Sequence, residues 1–215
     1  MGLDYAYEFI SERTSADRLV RAMCPHVVPD DRKRLMDYLN LHLGLIDVME
    51  HITQDTFERR TLNHESQEIC LSFLFAMDEH VLGFTDRSKD KSSFGTVEGK
   101  IPIGCVWTSI KCGKKFVVIR ATAATSDMSI LFEQSTSVRA TITEVCQTGN
   151  PLLVLFDDEQ SDLVAVWPQQ GRFTLSATYQ TFEDEQGDLK VDDYCTDLLA
   201  SARRQLGDRS ADSIG

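Results

Sequence analysis

KFVVIRATAATSDMSILFEQSTSVRATITEVCQTGNPLLVLF, running from Lys115 to Phe156, contains the elements on which the fold turns. Phe116, Val117, Val118 and Ile119 are a β-branched and aromatic run ending at Arg120, which reads as a strand buried on both faces. Ala121 to Asp127 is small and polar and reads as a turn. Met128, Ile130 and Phe132 alternate with Ser129 and Leu131, which suggests a second, shorter strand. Ser135-Thr136-Ser137 then offers hydroxyl oxygens to the free N–H groups of a first helical turn. Val138, Ile142, Val145 and Cys146 follow at i, i+4, i+7 and i+8, a single apolar stripe. Gly149-Asn150-Pro151 supplies a left-handed stop and a residue that cannot continue the helix. Leu152 to Phe156 is the next buried strand, so the unit reads β-β-α-β.

Working outward, Leu3, Tyr5, Tyr7 and Phe9 alternate with Asp4, Ala6 and Glu8, the pattern of a half-buried strand. A helix is expected from Thr14 or Ser15 to Cys24, stopped by Pro25. Two periods fit 29–52. Leu35, Leu39, Leu43, Ile46 and Met49 are spaced for a helix entered through Asp30 and Asp31, while Leu39, Leu41, Leu43 and Leu45 alternate as a strand would; the helix is preferred. Residues 53–66 read as a surface connection. Ile69, Leu71, Phe73 and Phe75 form a strand, and Asp78 to Leu82 one helical turn closed by Gly83. The charged, Ser- and Gly-rich segment 85–100 reads as a mobile loop. Ile101 to Cys112 is a strand joined by Gly113-Lys114 to the one at Phe116. A polar loop over 157–162 leads to the strand Leu163 to Trp167, a turn over 168–171, and an edge strand carrying Phe173, Leu175, Ala177 and Tyr179. A last helix presents Val191, Tyr194, Cys195, Leu198, Leu199 and Ala202, ends at Gly207, and leaves 208–215 disordered.

The chain has 215 residues, 42% hydrophobic content and a net charge of −12. That is enough apolar material for one sizeable core, and a single domain over 1–207 is expected. A chain this acidic lacks the clustered Lys and Arg that displace counterions from a phosphate backbone, which argues against nucleic acid as a partner. No apolar run approaches the roughly 18 residues that would span a bilayer, and the start lacks the basic and apolar regions of a secretory signal, so a cytoplasmic protein is expected. The six cysteines lie in or beside apolar segments of a chain too large to need stapling, and read as buried, reduced thiols.

Three segments, MGLDYAYEF at the start, IPIGCVWTSI in the long strand and ATAATSDMSILFEQSTSVRAT after Arg120, resemble an uncharacterised family of bacterial hypothetical proteins. The resemblance covers most of residues 1–11 and 68–168, and Ala121 to Arg139 is its specific part. It implies a bacterial, cytoplasmic α+β protein and carries no functional residues with it.

The usual catalytic and cofactor patterns are missing from the chain: no G-x-G-x-x-G, no phosphate-binding loop, no G-x-S-x-G elbow, no H-E-x-x-H and no C-x-x-C. The five histidines are scattered without metal-ligand spacing. Asp157, Asp158, Glu159 and Asp162 lack the glycine and terminal glutamate of a calcium loop and read as a solvated turn. Cys105, Cys112 and Cys146 have no sequence neighbour to activate a nucleophile. No catalytic residue, metal or cofactor is therefore assigned. The most suggestive group is Arg120, Ser126, Asp127, Ser129, Ser135, Ser137 and Arg139, in which a hydroxyl-rich turn and a helix N-terminus between two arginines would make a small anion pocket. In the competing account, Ser135 or Thr136 caps the helix, Asp127 closes a turn, and the arginines pair with acidic residues.

The expected architecture is a single α+β domain, a mostly antiparallel sheet of six to eight strands covered on one face by helices near 138–148 and 191–206. The expected function is that of a non-enzymatic binding protein that takes a basic partner protein, as acidic bacterial immunity proteins do. The alternative is an enzyme or small-ligand sensor using the anion pocket at the start of the helix over 138–148. A binder should show an exposed apolar patch with an acidic rim and no deep polar cleft; a ligand site should show Arg120 or Arg139 converging on one concavity with that helix start.

Overall fold

A computed structural model describes residues 5–44, 68–87, 95–158, 163–168, 173–175 and 190–212. Its strands are β1 (Ala6–Glu12), β2 (Glu68–Phe75), β3 (Ile101–Cys112), β4 (Phe116–Thr122), β5 (Leu153–Asp157), β6 (Leu163–Trp167) and β7 (Phe173–Leu175). Its helices are α1 (Ala16–Met23), α2 (Pro29–His42), α3 (Glu79–Arg87), α4 (Ser126–Gln134), α5 (Thr136–Gly149) and α6 (Val191–Asp212). The strands form one seven-stranded antiparallel sheet in the order β2-β3-β4-β1-β5-β6-β7. The α+β class and the antiparallel sheet are as the sequence implies.

The N-terminal strand lies at the middle of the sheet. Phe9 is registered with Ile119 of β4 on one side and Val154 of β5 on the other. It is therefore buried on both faces rather than half-buried, Glu8 included. Alternation sorts the strand residues into two cores. Tyr7, Phe9, Val117, Ile119, Val154 and Phe156 face α1, α2, α4 and α5. Ile10, Val118, Leu153, Leu155, Leu163 and Leu175 face α6, through Val191, Cys195, Leu198 and Ala202. The two helices expected to share a face thus lie on opposite ones, because each strand of the sheet's centre carries apolar residues at both parities. Fully burying a Phe or Leu side chain is worth about 1.5–3 kcal/mol, so both layers contribute substantially.

The decisive stretch is β-α-α-β rather than β-β-α-β. Met128 to Phe132 is helical: Thr125 caps α4 by accepting from Met128 N at 3.2 Å, and Met128, Leu131 and Phe132 fall at i, i+3 and i+4 on its buried side. The helix over 136–149 starts as expected, with the Ser135 hydroxyl accepting from Val138 N at 3.1 Å. It ends at Asn150, whose φ is +51°, a left-handed C-cap. Gly149 serves a separate need, since a Cβ there would lie 2.9 Å from Leu19 Cδ1 and 3.1 Å from Leu19 Cα, where α1 crosses α5.

The helix after β2 continues past Gly83 to Arg87, and α6 passes Gly207 to end at Asp212; a lone helical glycine costs only about 1 kcal/mol against Ala. Pro29–His42 is a helix, as preferred, and the remainder of its expected span lies outside the described residues. The same holds for the connection over 53–66, residues 88–94 of the loop expected over 85–100, the tip of the 157–162 loop, most of the 168–171 turn, and Ala177 and Tyr179. Val97 and Lys100 bridge each other at the end of that loop. The free edge of β2 is covered. Val28 N donates to Ser72 O at 2.9 Å, and Asp31 at the start of α2 accepts from Ser72 N at 2.8 Å, so that two of the edge's backbone groups are satisfied.

Candidate functional site

The turn between β2 and α3 places Asp78 against the start of α5. Its Oδ2 accepts from Ser135 Oγ at 2.7 Å, Thr136 Oγ1 at 3.1 Å and Ser137 N at 2.9 Å. Its Oδ1 accepts from Val81 N at 2.8 Å, in the first turn of α3. One carboxylate therefore caps two helices, with their free N–H groups and dipoles directed at it. Partial burial works against its ionisation, but the bonds from Ser137 N, Val81 N, Ser135 and Thr136 outweigh this and hold its carboxyl well below the ordinary range. The anion that the hydroxyl-rich helix start attracts is thus a residue of the chain itself.

The residues of the expected pocket are dispersed. Ser135 and Ser137 belong to the Asp78 clamp. Arg139 donates to Glu133 O at 2.6 Å, at the end of α4. Ser126 and Asp127 are exposed at the start of α4, about 13 Å from Ser135 at 1.5 Å per residue. Ser129 is buried, accepts from Tyr5 N at 3.2 Å and donates to Thr125 O at 3.3 Å. Arg120 points to the opposite face of the sheet, because it follows Ile119 by one residue on β4.

There Arg120 joins a polar cluster beneath α6. Its guanidinium donates to Asp157 Oδ2 at 2.7 Å and Glu8 Oε2 at 3.4 Å, and Tyr194 of α6 donates to Glu8 Oε1 at 2.6 Å. Burial pushes the Glu8 carboxyl up despite Tyr194 and Arg120, and the Asp157 charge adds to the rise. Sequence reasoning missed this cluster. A period-two strand suggested that Glu8 was solvated, and Asp157 was assigned to a polar loop. The available signal was that Glu8, Arg120 and Asp157 each sit at the same parity of three strands with apolar residues on both faces.

A third carboxylate fixes α6 to the β3–β4 turn. Asp192 accepts from Lys114 N at 2.8 Å, Lys115 N at 3.0 Å and Phe116 N at 3.1 Å, a small nest of backbone donors. Slight burial opposes its ionisation, but Lys115 N, Phe116 N, Lys114 N and the Lys115 charge together hold its carboxyl below the ordinary range.

Among the described residues, an open groove of about 390 Å³ is lined by Arg21, Cys24, Pro25, Arg32, Met36 and Glu98. Both of its arginines are already paired, Arg21 with Asp17 and Arg32 with Glu98, each at 2.7 Å. No group of three or more metal-ligating side chains occurs among the described residues, and no described helix is long and apolar enough to cross a membrane.

The large apolar side chains left exposed include Met77 and Leu82, at 58% and 42%. Met77 lies in the connection into α3, and Leu82 is exposed on that helix. Glu79 and Asp86, three residues before and four after Leu82, are both exposed and lie on the same face of the helix. Leu82 thus stands exposed between two exposed carboxylates, with Arg87 exposed at the end of the helix. Comparison with protein-family models, with curated proteins and with solved structures finds no match to this chain.

Proposed function

We propose that the chain is a non-enzymatic interaction protein that binds a basic partner protein through the outer face of α3. The observation that carries this reading is Leu82, exposed between Glu79 and Asp86 and close in sequence to exposed Met77. An apolar contact supplies affinity, while the two carboxylates and the net charge of −12 steer a basic surface toward it. The alternative, an enzyme or sensor with an anion site at the start of α5, has Asp78 in the position its ligand would take.

The test is co-purification from a lysate of the source organism on immobilised wild-type chain and on Leu82→Lys and Met77→Lys variants. The expected result is one retained protein of high isoelectric point, lost from both variants and eluted by salt. Retention unchanged by either substitution would remove α3 as the docking face. Calorimetric binding of inorganic phosphate abolished by Arg139→Ala would instead favour the ligand reading.

A further inference from the structure

β2 and β3 are registered Leu71 to Val106 and then Phe73 to Ile103, so that Ser72 alone opposes two residues of β3, Gly104 and Cys105. This is a β-bulge, which re-aims the side chains around it. Cys105 takes a φ of +61°, a left-handed conformation that a residue with a Cβ adopts at the cost of strain. It is exposed, and the register sets it diagonally across the ladder from half-buried Cys70 on the neighbouring strand. Trp107, 41% exposed, is registered directly opposite Cys70. α6 covers the sheet from β4 to β7, and this β2–β3 corner of the same face is left accessible.

We infer that Cys70 and Cys105 form a redox-active dithiol that a hydroperoxide oxidises to a cross-strand disulfide. The Cys105 sulfur, as thiolate, attacks one peroxide oxygen; the O–O bond breaks, and the leaving oxygen takes a proton and departs as water or alcohol. Cys105 is then a sulfenic acid. The Cys70 sulfur, after losing its proton, attacks the Cys105 sulfur; the S–S bond forms, the S–O bond breaks and water leaves. Two thiols supply the two electrons that reduce one peroxide. The order follows from accessibility. Cys105 is exposed and Cys70 only half so, and burial pushes the Cys70 thiol up to about 11, so Cys105 reacts first and Cys70 resolves.

The remaining thiols are poor competitors. Burial pushes Cys24 up, Cys112 up to about 11, Cys146 up to about 12, and Cys195 up as well.

The test treats the reduced full-length chain with one equivalent of hydrogen peroxide. Expected are the loss of two of the six thiols, a mass lower by two hydrogens, and a bridged peptide pair carrying Cys70 and Cys105. Tryptophan emission should fall and recover with dithiothreitol, because Trp107 adjoins the new disulfide. Cys70→Ser should leave Cys105 as a sulfenic acid that dimedone traps. Cys105→Gly, which adopts the positive φ freely and so keeps the fold, should slow thiol loss about tenfold and form no bridge. A bridge between any other pair, or further oxidation of Cys105 while wild-type Cys70 stays alkylatable, would overturn the inference.

Discussion

At Gly113, an added Cβ would lie 2.2 Å from Asp192 Oδ1 and 2.7 Å from its Cγ. The close approach that lets one carboxylate collect three N–H groups exists only because that position has no side chain. Gly113→Ala is therefore expected to cost about 1–3 kcal/mol by unseating Asp192, read as a lower melting temperature. In a chain already carrying Asp192→Ala, the same glycine substitution should cost little. Additive losses in the double mutant would show that the turn and the carboxylate act separately. Beneath α6, Arg120→Ala leaves Glu8 and Asp157 buried without their cation and should destabilise by about 3–5 kcal/mol. Glu8→Gln acts the other way. The folded chain holds the Glu8 proton more tightly than the unfolded chain does, so this residue's contribution is full below the unfolded value of about 4.3 and is lost as pH rises through the higher folded value. The glutamine variant keeps a carbonyl to accept from Tyr194, and should melt above wild type at pH 7.5, with the gap closing toward pH 4. A gap that widens on acidification would mean that Glu8 is stabilised as the anion.

Elements are joined here by shared caps. Asp78 satisfies the starts of α3 and α5 together, so Asp78→Ala removes two caps at about 0.5–2 kcal/mol each, roughly double the loss from Ser135→Ala. Its folded carboxyl is depressed, so its stabilisation is present above the unfolded value of about 3.9 and is lost as pH falls through the folded one. Acid unfolding of Asp78→Ala should accordingly be shallower than that of wild type over the range below about pH 4. The same elements explain what the chain made readable. Ser135 and the stripe through Val138, Ile142 and Val145 marked the start and length of α5 correctly, because cap and periodicity agree. Met128, Ile130 and Phe132 fit two periods at once. The cap at Thr125 that resolves them is a hydrogen bond to Met128 N, ordinary in sequence and visible only in coordinates. The Asp78 clamp escaped the sequence for a related reason. Residue type marked the helix start as an anion acceptor, but Asp78 reaches it from 57 residues away, across a connection whose path no local pattern encodes.

For the whole molecule, the sheet separates two cores of unequal cover. Five helices, α1 to α5, pack on one face, and among the described residues α6 closes the other over Ile10, Val118, Leu153, Leu155 and Leu163. A chain ending before Lys190 keeps the first core intact and opens the second, exposing those side chains and hydrating Glu8, Arg120 and Asp157. Such a truncation should retain strand and helix signals in far-ultraviolet circular dichroism, bind the apolar dye anilinonaphthalene sulfonate, and lose solubility near the isoelectric point of 4.8, where charge no longer keeps molecules apart. Hydration also removes the cause of the raised Glu8 carboxyl, so Glu8→Gln should no longer stabilise the truncated chain at pH 7.5. If the truncated chain stays free of dye and Glu8→Gln still raises its melting temperature, burial under α6 is not what sets the energy of that cluster.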